Sequence, residues 1–593
     1  MVEPDPGNDG KQYGRILIPH RDLNGAPFGM KVVCEIQNPH ASTDEYYGKI
    51  VEVLGDPANS DVAMLSIVRQ FGLSEGFTEA VRREAESIPA ELTVSEIQDI
   101  LRDGREDLRT LSTITIDGED AKDLDDALSI EMISDRDYRL YVHIADVAHY
   151  VTENSALDAE ARIRGTSVYL VNKVVPMLPP RLSNGICSLN PNLPRLAMTV
   201  EMEVDSDGQV TSGKIYESVI QSDARASYQG VQKILDGEKK EDDPSLFRLI
   251  HNIKELTDIL IRKREKRGAL DFSFPETHVR LDRDGNPLEV FAYPVYYSNR
   301  MIEECMILCN EFIARTFFEK DYPFIYRVHE DPNPEKMRSF LEVAKLFGQD
   351  IPVKGKVTPK SLSSFLERVK DDPSYPSLSQ LLLRSLAKAE YNPVNLEHFG
   401  LASDCYCHFT SPIRRYPDLY IHRIIKSFPQ MEKRGKKRLS DLVRHISRHC
   451  SETEKNAVDA ERASIDQKTA EYMTAHVGEV FDGRISGIFH GGIFVRLEST
   501  IEGMIPFRTM DDFYSFDERT LSAKGKRSGK SYHIGDEVSV LVVRADTLTR
   551  KISFIFSDST KKTRTTTGKI MKKRLKKGKK NLLPQKRRRK KRI

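Results

Sequence analysis

The stretch Thr113-Ile-Thr-Ile-Asp117-Gly-Glu-Asp120-Ala-Lys-Asp123-Leu-Asp125-Asp126-Ala-Leu-Ser-Ile-Glu131 decides how this chain is read. Thr113 to Ile116 alternate as a strand does, and Ala127 to Ile130 read as the next strand. The turn dipeptide Asp117-Gly118 opens the loop between them. That loop carries Asp117, Glu119, Asp120, Asp123, Asp125 and Asp126, with Lys122 as its single cation. Like charges tethered at both ends by strands cannot spread apart, so water must screen them or cations neutralise them. Hard carboxylate oxygens suit magnesium or manganese, and two such ions can clamp an in-line displacement at phosphorus. Charge alone fits a solvated acidic loop as well. A calcium EF-hand does not fit, because the ligand-glycine-ligand order and the closing glutamate are missing.

Working outward, the 593 residues suffice for about four domains. Met1 to Gly10 is acidic and rich in Gly and Pro, unlike a signal peptide. The best apolar run, Met301 to Phe318, is broken by Glu303, Glu304, Glu311 and Arg315, so no membrane span is expected. Seven scattered cysteines suggest reduced thiols and a cytoplasmic protein. Cys405-Tyr-Cys407-His408 is too tightly spaced for zinc and lacks a second ligand pair. The net charge of +1 hides a division. Residues 561–593 hold 18 Lys and Arg and no acid, leaving the rest at −17. An acidic body with a basic tail suits a nucleic-acid enzyme, and the tail, without apolar periodicity, is expected to be disordered.

Residues 12–70 read as a small all-β unit, with strands at Arg15–Ile18, Met30–Ile36 and Lys49–Leu54. Residues 75–89 look helical, with Phe77, Val81 and Ala85 on one face, and Val94–Leu101 is a second amphipathic stretch. From residue 112 to about 472 the pattern is one large α+β body. Tyr138 to Val147 reads as a strand, and its His143 and Asp146, close after the acidic loop, read as satisfied core groups. The second constellation is His408-Phe-Thr-Ser-Pro-Ile-Arg414-Arg415-Tyr-Pro417-Asp-Leu. Pro417 suits the first turn of a helix continuing through Leu419, Ile421 and Ile424. Two arginines just before a helix amino terminus are disfavoured by its dipole unless an anion arrives there, and a phosphate is the natural candidate. Pairing with a local acid such as Asp418 is the alternative. Val477 to Leu497 opens another barrel, with Phe489, His490 and Phe494 among glycines. One of those phenylalanines is expected to be core.

Asp117, Asp123, Asp125 and Asp126, framed by Thr-Ile and Ala-Leu, resemble the catalytic signature of the ribonuclease II and ribonuclease R family. Thr410-Ser-Pro-Ile-Arg-Arg-Tyr-Pro-Asp-Leu419 is similar to a second signature of that family. Ser167-Val-Tyr169-Leu, shortly before Val174-Val-Pro-Met-Leu-Pro179, is similar too, and Val477–Leu497 resembles an S1 RNA-binding domain. The resemblance spans about residues 12–558. It departs in two places. Only one cold-shock-like barrel fits before residue 112 where the family usually carries two, and Pro506-Phe507-Arg508 replaces the usual His-x-Ser of the S1 unit.

The resemblance implies an α+β fold in which a central RNB catalytic domain is flanked by small all-β oligonucleotide-binding barrels. The implied boundaries are a disordered start at 1–11, a cold-shock-like barrel at 12–72 and a helical linker at 73–111. An RNB domain at 112–472, an S1 domain at 473–558 and a disordered basic tail at 559–593 follow. It implies a processive 3′-to-5′ exoribonuclease that hydrolyses RNA, structured RNA included, and releases nucleoside 5′-monophosphates. One or two Mg2+ ions, with Mn2+ as a substitute, would be held by Asp117, Asp123, Asp125 and Asp126. Arg414, with Arg415 beside it, would grip phosphate. Tyr169, Tyr228 and Phe272 (or Phe274 in its place) would contact bases, and Glu303 a ribose 2′-hydroxyl. Phe489, His490 and Phe494 would bind RNA in the S1 unit. The implied substrate is single-stranded RNA or RNA with a 3′ overhang, acted on by a monomer whose tail could dock on the ribosome or RNA-decay machinery. A non-catalytic RNA-binding protein using the barrels and the tail is the competing class, and it predicts salt-sensitive binding without a product.

Overall fold

The computed structural model describes residues 1–5, 14–38, 46–134, 136–272, 274–351, 355–372, 374–428, 433–518 and 520–557. The basic tail lies outside the described residues. The chain folds as two units. One comprises Met1–Asn286 and Ala292–Lys468, and the other Pro287–Phe291 and the chain from Thr469 on.

The first unit is built around a seven-stranded sheet. Its spatial order is Ala224–Ser227, Ile114–Asp117, Asp126–Ser134, Asp137–Ala145, Pro194–Val204, Val210–Gln221 and Glu106–Asp107. The two strands read on either side of the acidic loop are antiparallel neighbours, with Ile114 opposite Leu128. Ile116, Leu128, Val142, Ile144 and Val200 are buried in one apolar core with Met301, Cys305 and Leu308 of the helix Tyr297–Glu319. His143 is buried among hydroxyls, 3.1 Å from Ser129 Oγ and 2.9 Å from Thr199 Oγ1. Asp146 accepts from Arg105 and Lys426 at 2.5 and 2.6 Å. His143 is the satisfied core group expected of it, whereas Asp146 is paired through Oδ2 only and its buried Oδ1 has no hydrogen-bond partner. Cys407 donates to Asn310 O at 3.3 Å and His408 Nδ1 meets Tyr391 OH at 2.9 Å, so this string is built into the core.

The amino-terminal stretch differs from its all-β reading. Among the described residues it holds three strands, Ile16–Leu17, Lys31–Ile36 and Tyr46–Gly55, and then the helix Ser60–Gln70. Asn59 caps that helix by accepting from Asp61 N at 2.8 Å. Met64, Ile67, Val68 and Phe71 form a cluster with Val168, Leu170 and Val175 and with Ala457, Ala460 and Ala463. The helix is stabilised by partners distant in sequence, which local periodicity does not reveal. Residues 1–5, within the start expected to be disordered, are also held: Val2 bridges Ile16, and Asp5 accepts from Ser66 at 3.1 Å. A helix of 42 residues, Lys433–Thr474, carries those three alanines.

The second unit contains a closed barrel of Val480–Phe489, Gly492–Leu497, Glu502–Pro506, Lys551–Phe556 and Glu537–Asp546. Ile485, Ile493, Val495, Val540, Val542 and Phe554 are buried. Gly503 sits where the Phe554 ring crosses its strand, and a methyl group there would collide with the ring. Gly503→Ala is therefore expected to overpack this barrel by about 1–3 kcal/mol. Calorimetry of the full chain should show the barrel's transition moving down by several degrees, and an unmoved transition counts against this packing.

Candidate active site at the carboxylate loop

The sheet ends decide where the carboxylates go. Asp117 is the last residue of one strand and Asp126 the first of its neighbour, so the loop between them hangs from one end of the sheet. The loop is pinned from two sides. Ser188 Oγ accepts from Leu124 N at 3.1 Å and donates to Lys122 O at 2.9 Å. Arg225 Nη2 donates to Glu119 O and Ala121 O at 2.8 and 2.6 Å. Parallel pairing sets Ser227 opposite Asp117, so Tyr228, next in the chain, opens its helix beside that carboxylate.

Asp125 is buried. Its Oδ1 accepts from Ile413 N at 2.8 Å, and its Oδ2 lies 3.9 Å from Arg414 Nε. This is the junction between the two constellations. Residues 411–416 are stitched in place by a segment near residue 166: Ser167 N and Thr166 Oγ1 donate to Arg414 O at 2.9 and 3.1 Å, and Tyr416 N to Gly165 O at 3.0 Å. Gly165 is needed there, at φ +67°, because a methyl group would strike Thr453. Tyr169, on the strand Val168–Leu170, donates its hydroxyl to Asp123 Oδ2 at 2.6 Å. Val168 and Leu170 face the amino-terminal helix's cluster, so strand alternation turns Tyr169 the other way.

Burial raises the Asp117 carboxyl, with repulsion from Asp126 next, against the lowering pull of Arg225 and Arg414. Burial also raises Asp125 well above the usual carboxylate range and raises Asp126. Asp117 Oδ2 and Asp125 Oδ2 are buried without a hydrogen-bond partner. Buried carboxylate oxygens left without a donor are costly, and a divalent cation would satisfy them. Among the described residues no three acid, histidine or cysteine side chains already converge into a ready-made ligand set. The donor chemistry nonetheless fits a hard cation: oxygen donors only, with two of them orphaned, and Arg414 the nearest cation to Asp125.

The other expected residues divide. Tyr228 follows Ser227, the residue paired with Asp117, and burial and then the charges of Asp117 and Asp126 raise its hydroxyl. Phe272 stacks on Phe274 with centroids 6.0 Å apart and packs on a separate apolar cluster around Phe340 and Phe365. Glu303 is half exposed and accepts from Arg264 at 2.9 Å. Arg415, read with Arg414 as a phosphate grip, instead clamps Asp418 with two hydrogen bonds of 2.9 and 2.7 Å. Asp418 is fully buried, so the pair holds the helix Tyr416–Ser427 by its first turn. Arg414 alone is open, with 41% of its side chain exposed. In the barrel neither Phe489 nor Phe494 is core: their rings stack 5.1 Å apart. Alternation sends Ile493 and Val495 inward and Phe494 outward. His490 meets Glu518 at 3.0 Å. Ser188, Arg225 and the 165–167 segment were given no role of their own from the sequence, since they act on or through backbone groups.

Family models match in the same order along the chain. A cold shock domain covers residues 6–78, an RNB domain 105–430 and an S1 RNA binding domain 474–556. Ribonuclease R of Thermotoga maritima is 41% identical over 566 residues, which cover 94% of this chain and 78% of that one. The chain belongs to the ribonuclease R family. Members of this family are hydrolytic 3′-to-5′ exoribonucleases that typically use a divalent metal. Among solved structures, Mycoplasma genitalium RNase R in complex with ribose methylated single-stranded RNA superposes with a TM-score of 0.86 at 30% identity, covering 92% of this chain and 85% of that one. The same protein in complex with double-stranded RNA gives 0.82 at 28% identity, covering 92% of each chain.

The two arginines should separate in experiment. Arg415→Met leaves Asp418 buried without its cation, with only Ser411 N still donating to it, so a loss of about 3–5 kcal/mol in unfolding free energy is expected. Arg414→Met should leave the denaturant midpoint near that of the parent while lowering turnover. Equal effects of both on stability would refute the division of roles.

Proposed function

We propose that this chain hydrolyses RNA processively from its 3′ end and releases nucleoside 5′-monophosphates, with Asp117, Asp123, Asp125 and Asp126 holding one or two Mg2+ ions, or Mn2+ in their place. The observation that carries the reading is the pair of orphaned, buried oxygens on Asp117 and Asp125, with Arg414 Nε 3.9 Å from the second. When bound, such ions supply Lewis acidity, acidifying the attacking water and taking up charge on the leaving 3′-oxygen. The chain's own groups do the rest. Arg414 stabilises charge at the scissile phosphate, where preorganised donors act most strongly. Ile413 N and Arg414 hold Asp125 in one orientation, and the Tyr169 hydroxyl holds Asp123. The Tyr169 and Tyr228 rings take terminal bases, each stack contributing roughly 1–3 kcal/mol whatever the base.

Phe272 contacts a further base and Glu303 a ribose 2′-hydroxyl, which requires Glu303 to share its carboxylate with Arg264. In the S1 unit Phe489, Phe494 and His490 bind the incoming strand. Substrates are single-stranded RNA or RNA with a 3′ overhang, in keeping with the relatives' RNA-bound structures. The protein acts as a cytoplasmic monomer, and residues 559–593 supply a docking arm for the ribosome or decay machinery. Among the described residues no helix is long and apolar enough to cross a membrane. The boundaries 12–72, 112–472 and 473–558 are taken as its working domains.

The decisive assay is 5′-end-labelled RNA digested with and without chelator. Only with the divalent ion should the full chain convert the labelled RNA to a short labelled end product with few intermediates, while releasing unlabelled nucleoside 5′-monophosphates. Asp125→Asn should lose at least a thousandfold in rate (about 4 kcal/mol of transition-state stabilisation) while still retarding RNA in a gel. A ladder of internal fragments, or equal activity in EDTA, overturns the mechanism. Binding without any product from the unsubstituted chain would leave the non-catalytic reading.

A further inference from the structure

We infer that the hairpin Ser522–His533 of the second unit is a built clamp for RNA backbone phosphate, a site separate from the ring face at Phe489 and Phe494. The inference rests on the reading of this unit as an RNA binder. In sequence the hairpin lies between the barrel strands Glu502–Pro506 and Glu537–Asp546. Tyr514–Asp517 pairs with Ser522–Gly525, which pairs with Ser531–His533, so the hairpin belongs to a three-stranded sheet of its own.

Lys524, Lys526, Arg527 and Lys530 are all exposed, and Thr520 to Gly535 contains no acid. A run of cations is ordinarily a solvated face whose members splay apart. Here the turn is assembled around one anion instead. Asp512, with only 3% of its side chain exposed, accepts from the backbone N–H groups of Phe513, Arg527 and Ser528 at 2.7, 2.9 and 2.7 Å. Ser528 Oγ donates to it at 2.8 Å and Arg527 Nε at 3.3 Å. These donors hold its carboxyl well below the usual range, so it stays ionised. Gly525 gives it room: a methyl group there would stand 2.6 Å from Asp512 Oδ2. One carboxylate thus fixes the backbone of a turn bearing four cations, and the surplus charge faces outward.

The ammonium groups are placed as well. Lys526 Nζ lies 4.6 Å from the Phe513 ring centroid, and Lys530 Nζ lies 4.8 Å from that of Tyr532. Tyr532 in turn stacks on Phe556 at 4.6 Å. Rings that hold cations lower the ordering cost of meeting an anion. The sheet also reaches the ring face, because Phe516 packs edge-on against His490 at 5.2 Å. A strand stacked on Phe489 and Phe494 would find cations beside it, the combination that binds single strands without sequence preference. A nucleotide-binding P-loop is excluded: Gly525-Lys-Arg-Ser-Gly529-Lys530-Ser531 is one residue short, and it joins strand to strand, not strand to helix.

The test measures fluorescence anisotropy of a labelled single-stranded RNA with the full chain in chelator, across a salt series. For Lys526→Gln with Lys530→Gln, the affinity should fall several-fold at low salt. The slope of log affinity on log salt should flatten by about 1.4, at about 0.7 for each single-strand phosphate no longer neutralised. Asp512→Asn removes a negative charge, so diffuse electrostatics predicts tighter RNA binding and the clamp predicts weaker. Tighter binding by that variant, with its barrel transition intact, overturns the clamp, as does an unchanged slope in the double lysine variant. If Asp512→Asn does not fold, the lysine variant decides. Phe489→Ala with Phe494→Ala, measured alongside, separates the two readings. Weakening there but not in the lysine variant sinks the clamp alone, and weakening in neither sinks RNA binding by this unit as well.

Discussion

Carboxylates stand at the ends of adjacent strands of one sheet, where burial leaves little solvent to screen them. Asp117 and Asp126 terminate adjacent strands, Asp125 is buried, and Asp117 and Asp125 each keep one buried oxygen with no donor. Each such oxygen costs free energy that an apolar residue would not. The cost is tolerable where cations, and the phosphate they attract, complete the site. A small set of contacts in the large unit holds those carboxylates in one geometry.

The holding is done mostly by main chain. Ile413 N reaches Asp125, Ser167 N reaches the Arg414 carbonyl, and Arg225 grips two carbonyls of the acidic loop. Such bonds transmit position without demanding a reactive side chain, so the residues that make them look ordinary in a sequence. The side-chain clamps are equally structural. Arg415 and Asp418 fasten the first turn of the helix behind Arg414. Asp158 accepts from Tyr416, at the start of that helix, and from Arg423, two turns later, at 2.8 and 2.6 Å. Of two adjacent arginines, one therefore serves the architecture so that the other can stay open.

The amino-terminal helix Ser60–Gln70 adds a further dependence. Its apolar face packs on the two-stranded element that carries Tyr169 and on the alanines of the long helix. The part of the chain that matches a cold shock domain thus contributes to the wall behind the Tyr169 ring, whose hydroxyl meets Asp123 of the acidic loop. In the barrel unit the same principle appears with opposite sign: one buried aspartate organises a turn of cations, where in the catalytic unit arginines organise a loop of aspartates.

Local chemistry made much of this legible. Alternation announced the strands around Asp117–Asp126, and Pro417 announced its helix. The helix at Ser60–Gln70 was missed because its partners, Val168 and Ala460, lie far along the chain. The stacking of Phe489 on Phe494 was missed because periodicity says which residues alternate, not which of two faces closes into a barrel. By itself the sequence determined the chemical inventory: acids, arginines and rings at spacings that suit a phosphodiester and a hard cation. Only tertiary structure decided which arginine stays free, which oxygens are left without donors and which tyrosines reach them. Hydrogen bonds and burial between residues hundreds of positions apart settle those questions, and no local pattern encodes them.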